Sequence, residues 1–115
     1  MVGIDLVRIP RFRRTLQGPY KATLVSIVFS EAELAPFPYP FSEKAIRSLA
    51  GRFAIKEAVI KASDGRLSLA DLRKIETYAT PNGAIQVRVQ GMKGLVFAVS
   101  LSHDGEYAVA IAVRS

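Results

Sequence analysis

Between Ser42 and Ala62 the apolar residues Ile46, Leu49, Ala50, Phe53, Ala54 and Ala58 recur at the spacing of one helix face. A chain of 115 residues that commits so much of itself to one helix must build its core around it. Extending the stripe by three and four residues lands on Glu57 and then on Lys61. A carboxylate and an ammonium thus stand where the pattern asks for leucine. Buried and unpaired, either charge would be strongly destabilising. Two readings are open. Glu57 and Lys61 form an i,i+4 pair on a solvated helix edge, the orientation that modestly favours helix, or they face inward and something else compensates them.

Two further stretches bear on that choice. In Val2-Gly3-Ile4-Asp5-Leu6-Val7-Arg8-Ile9-Pro10, Val2, Ile4 and Leu6 alternate as one face of a short strand, which turns Asp5 to the other face. Pro10 then suits the first turn of an arginine-rich helix, where its missing N–H is no loss. Near the far end, Phe97 to Ser102 and Tyr107 to Val113 read as the strands of a hairpin, with His103, the only histidine, at the strand-to-turn junction. Between these, Ser30-Glu31-Ala32-Glu33 reads as a capping box, the prolines from Pro36 to Pro40 forbid helix, Ser42 caps the long helix and Ser63-Asp64-Gly65 stops it. Lys74 to Thr80 and Ala84 to Gln90 are strands joined by the turn Pro81-Asn82-Gly83. The pattern predicts an α+β fold, an antiparallel sheet packed on one long helix, with residues 1–115 as a single domain.

The last strand predicts one thing more. Tyr107, Val109, Ile111 and Val113 line one of its faces, and Ala108, Ala110 and Ala112 line the other. Antiparallel strands usually keep a polar face toward water. Here neither face is polar, so the side away from the helix needs its own cover, most simply another subunit.

Composition narrows the classes of function. Sixteen Lys and Arg against ten Asp and Glu give a net charge of +6, and a basic surface attracts nucleic acid, a phosphorylated cofactor or an acidic protein. The few aromatics lie mostly in apolar patterns, which argues against a base-stacking platform for nucleic acid. Without cysteine there is no disulfide and no thiolate chemistry, so any metal must be held by oxygen or by one imidazole. No apolar run approaches the ~20 residues of a membrane span, and no signal-peptide pattern opens the chain. These features suit a cytoplasmic protein.

Gly-Ile-Asp near the start, Phe53-x-x-Lys56-Glu57-Ala58-x-x-Lys61-Ala62 in the long helix and Ser100-Leu101-Ser102-His103 before a Tyr-Ala strand together resemble the holo-[acyl-carrier-protein] synthases, the small single-unit 4′-phosphopantetheinyl transferases. The resemblance runs from Met1 to about Val113. It implies an enzyme that moves 4′-phosphopantetheine from coenzyme A to a carrier-protein serine, with 3′,5′-ADP leaving. It also implies Asp5 and Glu57 as ligands of Mg²⁺, and Lys61 as a catalytic group that stabilises charge on the phosphate. The same resemblance gives Arg52 and His103 to coenzyme A, with His103 contributed across a subunit boundary; Ser102 is a candidate phosphate donor there, and Lys56, within the motif, either contacts phosphate or lies on the helix surface. Arg11, Arg13 and Arg14 would meet the acidic carrier protein, and the assembly would be a homotrimer. The proton acceptor stays open between Glu57, acting through a water, and direct attack by a polarised serine.

The chain departs from the family pattern at three places. Arg8 stands where relatives often carry an acid, Ser63-Asp64-Gly65-Arg66 replaces a Gly-Thr-Gly, and Gly91 to Leu95 is short for the extra helix most relatives have. Two rival readings remain: a non-enzymatic basic binding domain, which would tolerate Glu57→Ala, and a degenerate transferase that binds without turnover.

Overall fold

The long helix forms as predicted. In a computed structural model that describes residues 1–115, the Ser42 hydroxyl accepts a hydrogen bond from the Ala45 N–H and opens α4, Glu43–Ala62. Three shorter helices, α1 (Ile9–Gln17), α2 (Lys21–Val28) and α3 (Glu31–Leu34), lie between it and the first strand, β1 (Val2–Arg8). A 3₁₀ helix at Leu69–Lys74 leads into β2 (Ile75–Ala79) and β3 (Ile85–Val89), and β4 (Phe97–Asp104) and β5 (Tyr107–Arg114) close the chain. The strands divide into two antiparallel sheets, β1-β5-β4 and the ribbon β2-β3.

Small residues let α4 lie close on the three-stranded sheet. Ala108, Ala110 and Ala112 are buried against it from the central strand β5. In β1, a Cβ placed on Gly3 would sit 2.0 Å from the Ala58 carbonyl oxygen. In α4, a Cβ on Gly51 would sit 2.7 Å from Leu101 and 3.0 Å from the His103 ring. Backbone atoms cannot give way, so Gly3 is required by the helix–sheet spacing, whereas at Gly51 it is the Leu101 and His103 side chains that would have to shift.

The helix is buried around more of its circumference than the stripe implied. Ile55, Val59 and Ala62 join the predicted positions in the core, and Arg52 and Lys56 are buried too. The reason is that α4 is central, covered by the sheet on one side and by the short helices and the β2-β3 ribbon elsewhere. Two elements carried no clear sequence signal. α2 lacks a side-chain cap and buries none of its residues, and the 3₁₀ helix is a short turn opened by a Ser68–Asp71 capping box. β4 also runs on to Asp104, so His103 lies within the strand opposite Ala108, and the turn is Gly105-Glu106, with Gly105 at φ 57°.

The outer sheet face is as apolar as the alternation requires. Register aligns Val2, Val113 and Ala98 in one row, Ile4, Ile111 and Ser100 in the next, and Leu6, Val109 and Ser102 in a third. Ile4 and Leu6 are each 61% exposed there.

Candidate active site

Asp5 reaches the site because Val2, Ile4 and Leu6 occupy the opposite face of β1, and Glu57 reaches it from α4. Both line a cavity of 450 Å³ walled by Phe12 and Leu16 of α1, Leu24, Val25 and Val28 of α2, and Phe53 of α4, with Arg8 and Arg11 at its rim. Lys61 bridges the two elements, its Nζ donating to Asp5 Oδ1 at 3.0 Å and to the Ile4 carbonyl at 2.9 Å. The i,i+4 ion pair between Glu57 and Lys61 is therefore not the arrangement adopted. Burial pushes the Glu57 carboxyl above its usual range, and the Asp5 charge pushes the same way against the pull of Lys61. No side-chain hydrogen bond acts on Glu57. Two like-charged carboxylates at one cavity, one of them unpartnered, are a site a cation would relieve. No cluster of three His, Cys, Asp or Glu side chains accompanies them, so the donor set suits a hard ion that completes its shell with water and phosphate oxygens, as Mg²⁺ does.

Arg52 and His103 lie elsewhere. They line a second, basic cavity of 590 Å³ with Lys44, Arg47 and Ser48 of α4 and Leu101 of β4. Its walls hold cations and no carboxylate. Arg52 is 8% exposed, donates from one Nη to Thr77 Oγ1 at 3.1 Å, and leaves its buried Nε without a partner. An unsatisfied buried donor costs about 1–3 kcal/mol, and the charge on this guanidinium, in a cavity without a carboxylate, favours an anion there. Desolvation pulls the Arg52 guanidinium below its ordinary value against the influence of Glu33. The His103 Nε2 lies 3.0 Å from the Arg47 carbonyl, an acceptor, so this nitrogen carries the proton. Lys44, Arg47 and Ser48 went unassigned in the sequence, although with Arg52 they repeat at i, i+3, i+4 and i+8, a polar stripe on one helix face.

The structure places three of the expected residues outside both cavities. Lys56 is fully buried, and its Nζ donates to the Val28 carbonyl at 2.8 Å, the Leu72 carbonyl at 2.8 Å and Glu33 Oε1 at 2.7 Å, which uses all three of its protons. Ser102 does not join His103, because successive strand residues alternate and it lies in the outer-face row with Leu6 and Val109. Arg13 does not extend a patch with Arg11. It grips Glu43, with Nε donating to Oε2 at 3.0 Å and an Nη to the other oxygen. Arg11 and Arg14, three residues apart, share a helix face from which Arg13 is turned away.

A family model of the 4′-phosphopantetheinyl transferase superfamily matches residues 1–112, and the chain belongs to that family. Among its relatives, the holo-[acyl-carrier-protein] synthase of Thermodesulfovibrio yellowstonii is 36% identical over 113 residues, covering 97% of this chain and 95% of that one. Solved structures agree in fold. The Helicobacter pylori holo-[acyl-carrier-protein] synthase in complex with coenzyme A superposes with a TM-score of 0.82 at 27% identity, over 100% of both chains. The Mycobacterium tuberculosis acyl carrier protein synthase does so with a TM-score of 0.73 at 33% identity, over 99% of this chain and 95% of that one.

Proposed function

We infer that the chain works as its family does, moving the 4′-phosphopantetheine arm of coenzyme A onto a serine of an apo acyl carrier protein. The observation that supports this most directly is the pair Asp5 and Glu57 at one cavity, with Lys61 on Asp5. In our reading Asp5 and Glu57 hold Mg²⁺, which when bound neutralises charge on the diphosphate. The basic cavity at Arg52 and His103 takes the nucleotide end of coenzyme A, where forked guanidinium groups suit phosphate.

The chain's own residues then have a positioning and electrostatic task. A bond forms from the serine oxygen to phosphorus as the bond to the departing 3′,5′-ADP oxygen breaks, and that oxygen leaves with the electron pair. Such a step needs alignment and charge compensation more than covalent help. Lys61 fixes the Asp5 carboxylate while the same ammonium is held by the Ile4 carbonyl of β1. The serine proton needs an acceptor, and Glu57, which lines this cavity, is placed to take it through a water. Arg11 and Arg14 offer positive charge on one face beside this cavity to an acidic carrier protein.

The two cavities open from different sides of α4, so completing a site calls for a second copy. We propose a homotrimer, closed through the apolar outer face of β1-β5-β4, in which one copy's carboxylates meet its neighbour's basic cavity. No helix is long and apolar enough to cross a membrane, and we place the protein in the cytoplasm. The test is intact mass of an apo carrier protein after incubation with the chain, coenzyme A and Mg²⁺. The expected gain is one phosphopantetheine, lost with Glu57→Ala or chelator. No gain on several carrier proteins would favour a binding module.

A further inference from the structure

Lys56 is the residue that the transferase reading leaves without a task. It stands beside Glu57 in the sequence, yet it is fully buried and its ammonium is aimed away from both cavities. Its three bonds join α4 to the last residue of α2, to α3 and to the 3₁₀ helix. Glu33, the charge that balances it, also accepts from the Ser30 N–H, the Thr77 N–H and the Thr77 hydroxyl, so the pair is satisfied on every side.

The bond to Val28 has a special consequence. α2 supplies Leu24, Val25 and Val28 to the wall of the carboxylate cavity, but it buries none of its own residues. An element held by so little burial takes its position from whatever tethers its ends. The tethers near its C-terminus are few: Lys56 Nζ on the Val28 carbonyl, the Arg73 guanidinium on the Ser26 carbonyl at 2.8 Å, and the buried ring of Phe29 just beyond, over which the Lys56 ammonium sits.

We propose that Lys56 is a positioning residue that sets the α2 wall of the carboxylate cavity, and thereby the affinity for the carrier protein, without touching coenzyme A. This rests on the reading that the carrier protein approaches that cavity past Arg11. Direct phosphate contact by Lys56 would act on coenzyme A instead, and a role in folding alone would act on neither substrate, so kinetics separates the three.

Two variants make the test. Lys56→Met combined with Glu33→Gln removes both charges of the pair together, although Glu33 also favours the Arg52 charge and holds its partner Thr77. Arg73→Gln removes the other, exposed tether with little risk to folding. Both are assayed for the KM of each substrate, and the amide exchange of residues 21–28 is followed by mass spectrometry. The double variant should raise the carrier-protein KM by about tenfold or more. Arg73→Gln, whose bond is to the Ser26 carbonyl alone, should move it less in the same direction with the coenzyme A KM unchanged, and both should speed exchange in α2. A raised KM for coenzyme A with an unchanged carrier-protein KM in either variant, or unchanged KM values with only less folded enzyme, overturns the proposal. If the double variant does not fold, Arg73→Gln decides: no change in carrier-protein KM overturns it. If the wild-type protein modifies no carrier protein, the functional reading fails by itself, and exchange in α2 that neither variant alters overturns the tether as well.

Discussion

Lys56 and Glu57 are neighbours on α4 with opposite fates, the first sealed among backbone carbonyls and the second left unpartnered at a cavity. The sequence made Glu57 and Lys61 conspicuous because they interrupt an apolar stripe. It could not show that Lys61 reaches Asp5 on β1, or that Lys56 pairs with Glu33, since both partners are distant along the chain. The unpartnered carboxylate has a measurable consequence. With its carboxyl raised above the usual range, the native state keeps the Glu57 proton to higher pH than the unfolded chain does. Stability therefore falls as pH rises from the ordinary carboxylate value through the raised native one, and the deficit persists above it. Glu57→Gln carries no such charge. In chelator-containing buffer it should melt a few degrees above wild type at neutral pH, with the gap closing in acid, while transfer falls by about a hundredfold or more. Thermal unfolding across pH checks this, and equal melting at every pH would mean that Glu57 is as well solvated as a surface glutamate.

Elements were legible where local chemistry and pattern agreed. α4 has its Ser42 cap, α3 its capping box and the β2-β3 ribbon its Asn82-Gly83 turn, each visible within a few residues. α2 has neither a cap nor a buried face, and it takes its place from tertiary bonds no local window contains. The closeness of β1 to α4 was equally hidden, because Gly3 reads as an ordinary strand residue until a helix backbone lies against it. Gly3→Ala would place a Cβ 2.0 Å from the Ala58 oxygen and 2.9 Å from the Ala62 nitrogen. Neither backbone atom can swing aside, so β1 must lift. Overpacking of this kind costs about 1–3 kcal/mol or more, read as a lower denaturant midpoint at an unchanged slope. Transfer should fall with it, since the same movement draws Asp5 from Lys61. Retained activity in a folded variant would mean that the strand absorbs the methyl without moving the carboxylate.

At the scale of the whole molecule, the outer sheet face and the separation of the two cavities concern the same contact. The sequence announced the face, through two apolar sides on one strand, but the separation of Arg52 and His103 from Glu57 depends on which side of α4 each element covers. If the sheet faces close a ring of three copies head to tail, each site takes its carboxylates from one copy and its basic cavity from the next. Ile4→Asp and Ile111→Asp put charge in the middle of the apolar rows. Both should give a folded monomer by light scattering and circular dichroism, with transfer lost although every site residue is intact. A mixing experiment is sharper. Glu57→Ala and His103→Ala chains should each be inactive alone. Exchanged in equal amounts into mixed rings, they place an intact carboxylate pair against an intact histidine at about one site in four, the random expectation for a head-to-tail ring. Activity should recover to about that fraction of wild type. Two defective chains that each held a complete site within themselves could restore nothing on mixing, so an unchanged null would confine the chemistry to a single subunit.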